Sequence, residues 1–238
     1  MTEARSAALT SRRLPAGTVI GISGGSASGK STLAAALARR LAAFDPIVLN
    51  QDAYFHDWSG LPSEEREARM TANRPDAVHW TALVEHVARL REGEAVTVPV
   101  PRTRGARGNK GPARTASLGP TRLLIVEGHL IFGEPVLRSL LDLKLFLDVP
   151  ADERVLRRMY RDAVERSGDL ERAIAWYRRD VLPNSRLHTE PTRQFADLIL
   201  PWTEAREPVI DLLAAGIEAR LGDLSPRKRE GGESAKSD

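Results

Sequence analysis

The chain has 238 residues, 42% of them hydrophobic, with 35 basic against 32 acidic side chains and a net charge of +3. That length and apolar content suffice for one well-buried α/β domain with a smaller lobe. With no cysteine, disulfides, thiolate metal sites and cysteine nucleophiles are excluded, and no run of 18 apolar residues offers a membrane span.

In chain order, residues 1–15 read as an N-terminal leader, rich in Ala, Arg and Ser but lacking the apolar core of a secretory signal. A cytoplasmic protein is expected. Residues 16–222 are expected to form the main domain. Apolar runs predict buried strands at Val19–Ile22, Ile47–Leu49, Leu123–Val126, Leu143–Val149 and Leu198–Leu200, with a shorter one at Val96–Val100. Helical patterns fall between them, at 31–43, 63–72, 80–91, 151–166, 169–182 and 207–221. Strands alternating with helices predict a parallel sheet covered on both faces. The segment 99–120 differs: it is rich in Gly, Pro and Arg, carries Arg102, Arg104, Arg107, Lys110 and Arg114, and has no acidic residue. It reads as a long basic loop or an irregular hairpin. Residues 223–238 read as a disordered polar tail.

The sharpest signal is Gly24-Gly25-Ser26-Ala27-Ser28-Gly29-Lys30-Ser31, a complete G-x-x-x-x-G-K-S phosphate-binding loop between a predicted strand and a predicted helix that begins near Thr32. The glycines let successive backbone N–H groups turn inward around an anion at a helix N-terminus. Lys30 supplies a charge for the outer phosphates of a nucleotide such as ATP, and the Ser31 hydroxyl is an oxygen ligand for Mg²⁺.

Two carboxylates stand at other strand ends. Asp52 lies just beyond the predicted strand Ile47–Leu49, where a base can accept the proton of an attacking hydroxyl. Glu127 closes Leu123–Val126 and, with Ser31 and Asp52, makes up the expected metal-binding oxygens. Helical spacing sets Arg154, Arg158 and Arg161 near one face, with Arg166 at the exit, as on an arginine-bearing lid over a phosphoryl transfer site (helices within 151–182). His56, His79, His86, His129 and His188 lack metal-ligand spacing. His129, just after the Glu127-Gly128 turn, is a candidate substrate contact.

Together these residues resemble the uridine kinase family (uridine–cytidine kinases), within the group that includes phosphoribulokinases and pantothenate kinases. The resemblance runs from Val19 to Pro201. Besides the phosphate loop it rests on Gln51–Phe55, Arg74–Ala77, Glu127-Gly128, Leu145–Val149, Arg157-Arg158, Arg161-Asp162, Glu165-Arg166, Pro191-Thr192 and Ala196–Pro201. It implies a P-loop NTPase-type three-layer α/β/α fold with a mostly parallel sheet, a helical lid and a small hairpin region. It implies Asp52 as the aspartate activating a sugar 5′-hydroxyl, Lys30 and Ser31 at phosphate and magnesium, Glu127 as the strand-end glutamate, and Arg158, Arg161 and Arg166 near the nucleotide phosphates.

The acceptor side departs from the family. Alignment on Pro75-Asp76 puts Asn73 where an aspartate holds ribose hydroxyls. Pro101 and Ala106 stand where a tyrosine and a histidine face the base, Gly168 replaces a lid arginine, and Trp176 replaces a base-reading glutamine. Tyr54, Asn73, Asp76, His129 and Trp176 are the acceptor candidates. The first expectation is therefore an ATP- and Mg²⁺-dependent kinase of a pyrimidine ribonucleoside 5′-hydroxyl. The second is a kinase of a different hydroxyl, such as that of a pentose, a sugar phosphate or another small polar alcohol, in the manner of phosphoribulokinases or pantothenate kinases. A third, from another class, is a regulatory ATPase with no small-molecule acceptor. The partner expected is a small molecule; no membrane is expected, scattered positives argue against nucleic acid, and a homo-oligomer is left open.

Overall fold

Seven uncharged residues, TVIGISG, form the strand β1 (Thr18–Gly24), buried along its whole length. In the computed structural model, which describes residues 17–58, 61, 62, 65, 71–100, 114–165, 169–204 and 207–221, this strand is the centre of a five-stranded sheet. Its neighbours are β2 (Ile47–Asn50), β5 (Leu123–Glu127), β6 (Leu143–Asp148) and β7 (Leu198–Pro201), in the order β2-β5-β1-β6-β7 with every pairing parallel.

The period-2 alternation of strand side chains sorts the core into two layers. Ile20, Ile22, Ile125, Leu145 and Leu147 pack on one face with Leu33 and Leu37 of α1 (Lys30–Arg40) and with Ile210 and Ile217 of the C-terminal helix Glu207–Leu221. Val19, Leu124, Val126 and Phe146 point to the other face. There they meet Leu83, Val87 and Leu90 of α2 (Trp80–Arg91) and Leu137 of α3 (Pro135–Leu140). Truncating any of these central side chains to Ala costs about 2–5 kcal/mol. The expected three-layer α/β/α arrangement is thus the observed one.

Strand and helix bounds agree with expectation to within a few residues, with informative exceptions. The basic segment begins and ends in a small antiparallel hairpin, β3 (Val96–Pro99) on β4 (Thr115–Leu118). Residues 101–113, with Arg102, Arg104, Arg107 and Lys110, lie outside the described residues, and Arg114 is exposed. The helix α3 is unanticipated; Glu134 caps it by accepting from the Val136 N–H, and Pro135 opens it. The predicted helix 63–72 falls mostly outside the described residues, and its described end, Thr71-Ala72, is not helical. The two arginine-bearing helices are not uniform α. α4 (Ala151–Tyr160) passes into a π-helical turn, Arg161–Glu165, and α5 (Leu170–Trp176) into another, Tyr177–Val181. A short α6 (Leu182–Asn184) continues the second; Glu207–Leu221 is α7. Among the described residues no helix is long and apolar enough to cross a membrane.

Candidate active site

All five strands point their C-terminal ends the same way, and at that rim the loop after β1 wraps toward α1. Gly29 enters the helix with φ 89°, in the left-handed region, and a Cβ there would sit 3.0 Å from Trp202 Nε1. At Gly25 the constraint is spatial: a Cβ would lie 2.1 Å from Arg154 Nη1. Arg154 is buried, donates from Nε to the Val149 carbonyl at 3.1 Å, and reaches Glu190 Oε1 at 3.2 Å. Arg154, expected to share a face with Arg158 and Arg161, is therefore a strut beneath the loop.

Lys30 Nζ donates to the carbonyls of Gly24 (3.0 Å) and Gly25 (2.9 Å), folding its ammonium over the loop. Ser31 Oγ donates to Glu127 Oε1 at 2.7 Å. Strand register brings Asn50 opposite Glu127, and the Asn50 amide donates to the same Oε1 at 2.6 Å. Asn50 Oδ1 in turn accepts from the Asp52 N–H at 2.6 Å, starting the 3₁₀ turn Gln51–Tyr54 and leaving the Asp52 side chain exposed. Glu127 is buried. Burial pushes its carboxyl up, opposed by the Lys30 charge and the Ser31 hydrogen bond. Burial pushes the Lys30 ammonium down, opposed first by Glu127 and then by Asp52.

These groups share one cavity of about 560 Å³. The loop contributes Ser26, Ala27, Gly29, Lys30, Ser31 and Thr32; Asn50, Asp52, Glu127 and Gly128 form its base, and Arg157, Arg158 and Arg161 approach from α4 and the π turn. Gly24, Gly25 and Ser28 belong to the loop without lining the cavity. Arg158 Nη1 donates to Ser26 Oγ at 2.6 Å, and its Nε is 3.3 Å from Asp162 Oδ2. Arg161 also contacts Asp162, at 3.2 Å. Arg157, which sequence reasoning left unassigned, donates to Glu153 and to the Thr203 carbonyl. Arg166 lies outside the described residues.

The model of the phosphoribulokinase/uridine kinase family matches residues 19–207. The chain belongs to that family. Similar members include the uridine kinase of Chloroflexus aurantiacus, 39% identical over 203 residues spanning 85% of this chain and 95% of that protein. The uridine kinase of Shewanella frigidimarina is 37% identical over 208 residues, covering 85% of this chain and 96% of its own. Among solved structures, a Silicibacter sp. TM1040 protein provisionally named a fructose transport system kinase superposes with a TM-score of 0.63. It is 28% identical and covers 79% of this chain and 92% of its own. The phosphoribulokinase of Rhodobacter spheroides, at 18% identity, 79% of this chain and 70% of its own, shares the fold with a TM-score of 0.54. As a member of the phosphoribulokinase/uridine kinase family, the protein is a phosphotransferase that uses ATP to phosphorylate a hydroxyl of a small molecule.

In this family member the five acceptor candidates separate. Asn73, His129 and Trp176 line the cavity. Tyr54 does not: the 3₁₀ turn carries it inward, where it is 2% exposed and its hydroxyl meets His86 Nδ1 at 2.9 Å. Burial raises its phenol above the usual range. Asp76 is exposed and paired with Arg74, and it does not line the cavity. Among residues not anticipated, Asn50 has a legible signal, since it ends a strand two residues before Asp52. Asp180, which holds Asn73, announces itself only by lying four residues beyond Trp176.

Proposed function

We propose that the chain phosphorylates the 5′-hydroxyl of a pyrimidine ribonucleoside, uridine first, with Asp52 as general base. The observation that carries this reading is the convergence, in one cavity, of a phosphate loop, an exposed aspartate beside it and a polar wall formed by Asn73, His129 and Trp176. The uridine kinases that match most of the chain support the choice of acceptor.

The donor residues act by position and charge. Loop N–H groups and the α1 N-terminus hold the β-phosphate. Lys30 leaves its two carbonyl partners for the outer phosphates. Arg158 and Arg161 face the charge that spreads over the γ-phosphate oxygens, on a helical lid that excludes water. Ser31 and Glu127 offer a hydroxyl and a carboxylate oxygen 2.7 Å apart, a donor set that fits Mg²⁺. When bound, Mg²⁺ would neutralise charge on the β- and γ-phosphates. Asp52 accepts the hydroxyl proton as the acceptor oxygen bonds to the γ-phosphorus; the bond to the bridging oxygen breaks and ADP leaves.

A second reading has its own support. Trp176 and Asn73 replace the glutamine and aspartate expected for reading a ribonucleoside, and the Silicibacter protein, at 28% identity, is provisionally named for fructose transport. A different sugar hydroxyl is thus the alternative acceptor. ADP release against a panel of uridine, cytidine, fructose and ribose 5-phosphate tests both. Uridine- or cytidine-dependent release supports the first reading and fructose-dependent release the second. Equal release with and without every acceptor contradicts both.

A further inference from the structure

Behind the cavity wall lies a carboxylate that the phosphoryl transfer described above does not use. Asp180, on the π turn after α5, is 6% exposed. Its Oδ1 accepts from Thr71 Oγ1 at 2.6 Å and from Asn184 Nδ2 at 3.2 Å, and its Oδ2 accepts from Asn73 Nδ2. The Thr71 hydroxyl, its proton committed to Asp180, accepts from the Asn73 backbone N–H at 3.1 Å. Asn73 is therefore held twice, at its backbone and at its side chain. Trp176, four residues earlier on the same helical run, also lines the cavity.

A carboxylate can only accept hydrogen bonds, so the amide group facing it must be the NH₂. Rotating the amide would set its oxygen against Asp180 Oδ2 and leave two buried acceptors opposed. The amide of a free asparagine has no such preference.

We propose that Asp180 is a positioning residue for the acceptor: it turns the Asn73 amide so that its oxygen faces the cavity. Asn73 then accepts from a ligand hydroxyl through that oxygen, with one of its two amide N–H donors spent on Asp180. The negative charge behind it repels an anionic ligand. The device selects a neutral, hydroxyl-bearing acceptor over a phosphorylated one. The inference rests on the kinase reading and narrows its substrate class.

The test is steady-state kinetics on the full chain, with the panel acceptor that the wild-type protein turns over fastest. Asp180→Asn frees the amide to rotate. It should raise the acceptor KM about tenfold, the scale of one hydrogen bond lost or misdirected, and leave the KM for ATP within about threefold. The exchange variant Asn73→Asp/Asp180→Asn swaps carboxylate and amide, keeps the bond between them and again presents an oxygen to the cavity. Its acceptor KM should return to within about threefold of wild type. A folded Asp180→Asn protein with unchanged acceptor KM overturns the inference, as does an exchange variant no better than the single one. If Asp180→Asn fails to fold, the exchange variant decides. In the wild-type protein, ribose 5-phosphate should neither be phosphorylated nor compete with the neutral acceptor; effective competition contradicts the selectivity. Failure of the kinase reading looks different, because no acceptor then stimulates ADP release at all.

Discussion

The two halves of the cavity are built on different plans. On the nucleotide side, one unbroken run from Gly24 to Thr32 supplies the loop and the helix start, and among the described residues Asn50, Glu127, Arg157, Arg158 and Arg161 join it from elsewhere. On the proposed acceptor side, Asn73, His129 and Trp176 come from three separate segments, and the carboxylate that Asn73 meets is 107 residues away along the chain. A half made of consecutive backbone is fixed by local geometry and tolerates little change. A half assembled from distant side chains can alter its ligand one substitution at a time.

That contrast breaks most sharply at Asp52. Asp52→Asn should lower kcat by about 10³-fold, the range of a general base, with ATP affinity held within about threefold, as stopped-flow turnover and nucleotide titration would measure. Loss of ATP binding in that variant would move Asp52 to the donor half. Lys30→Met should lower kcat/KM for ATP by about 10²-fold, and its titration should show weaker nucleotide binding as well. Gly25→Ala forces a Cβ toward the Arg154 guanidinium. Overpacking of this kind costs about 1–3 kcal/mol, read by denaturant unfolding, and should weaken ATP far more than the acceptor. The smallest effect belongs to Tyr54→Phe. Loss of the hydrogen bond to His86 should cost about 1 kcal/mol of stability and leave both KM values unchanged.

His86 adds a pH signature to that last variant. Burial holds its imidazole below the ordinary value of 6.5. The stability contributed by the neutral ring is full above about pH 6.5 and is lost as pH falls through the folded-state value. Unfolding midpoints of the wild-type protein should decline over that window.

The nucleotide half was legible because its signals are local or lie at the ends of strongly apolar strands. Five such runs defined the parallel sheet, and Asp52 and Glu127 then had to share its C-terminal rim. The rest was hidden for physical reasons. Tyr54 stands two residues from Asp52, yet the 3₁₀ turn that exposes one buries the other. Arg154 has the spacing of a phosphate ligand but is drawn under Gly25 by the Val149 carbonyl and Glu190. The strand Thr115–Leu118 carries no bulky apolar alternation, and the six-residue helix Pro135–Leu140 is too short for periodicity to show. The Asn73–Asp180 pair exists only once the chain has folded.

In the proposed reaction an acceptor hydroxyl lies between Asp52 and the outermost phosphate of ATP. A crystal structure with magnesium, a non-hydrolysable ATP analogue and uridine tests it most directly. The uridine 5′-oxygen should lie about 2.6–3.2 Å from an Asp52 carboxylate oxygen and in line with the terminal phosphorus. An Asp52 side chain turned out to solvent, with the nucleoside bound elsewhere, would contradict it.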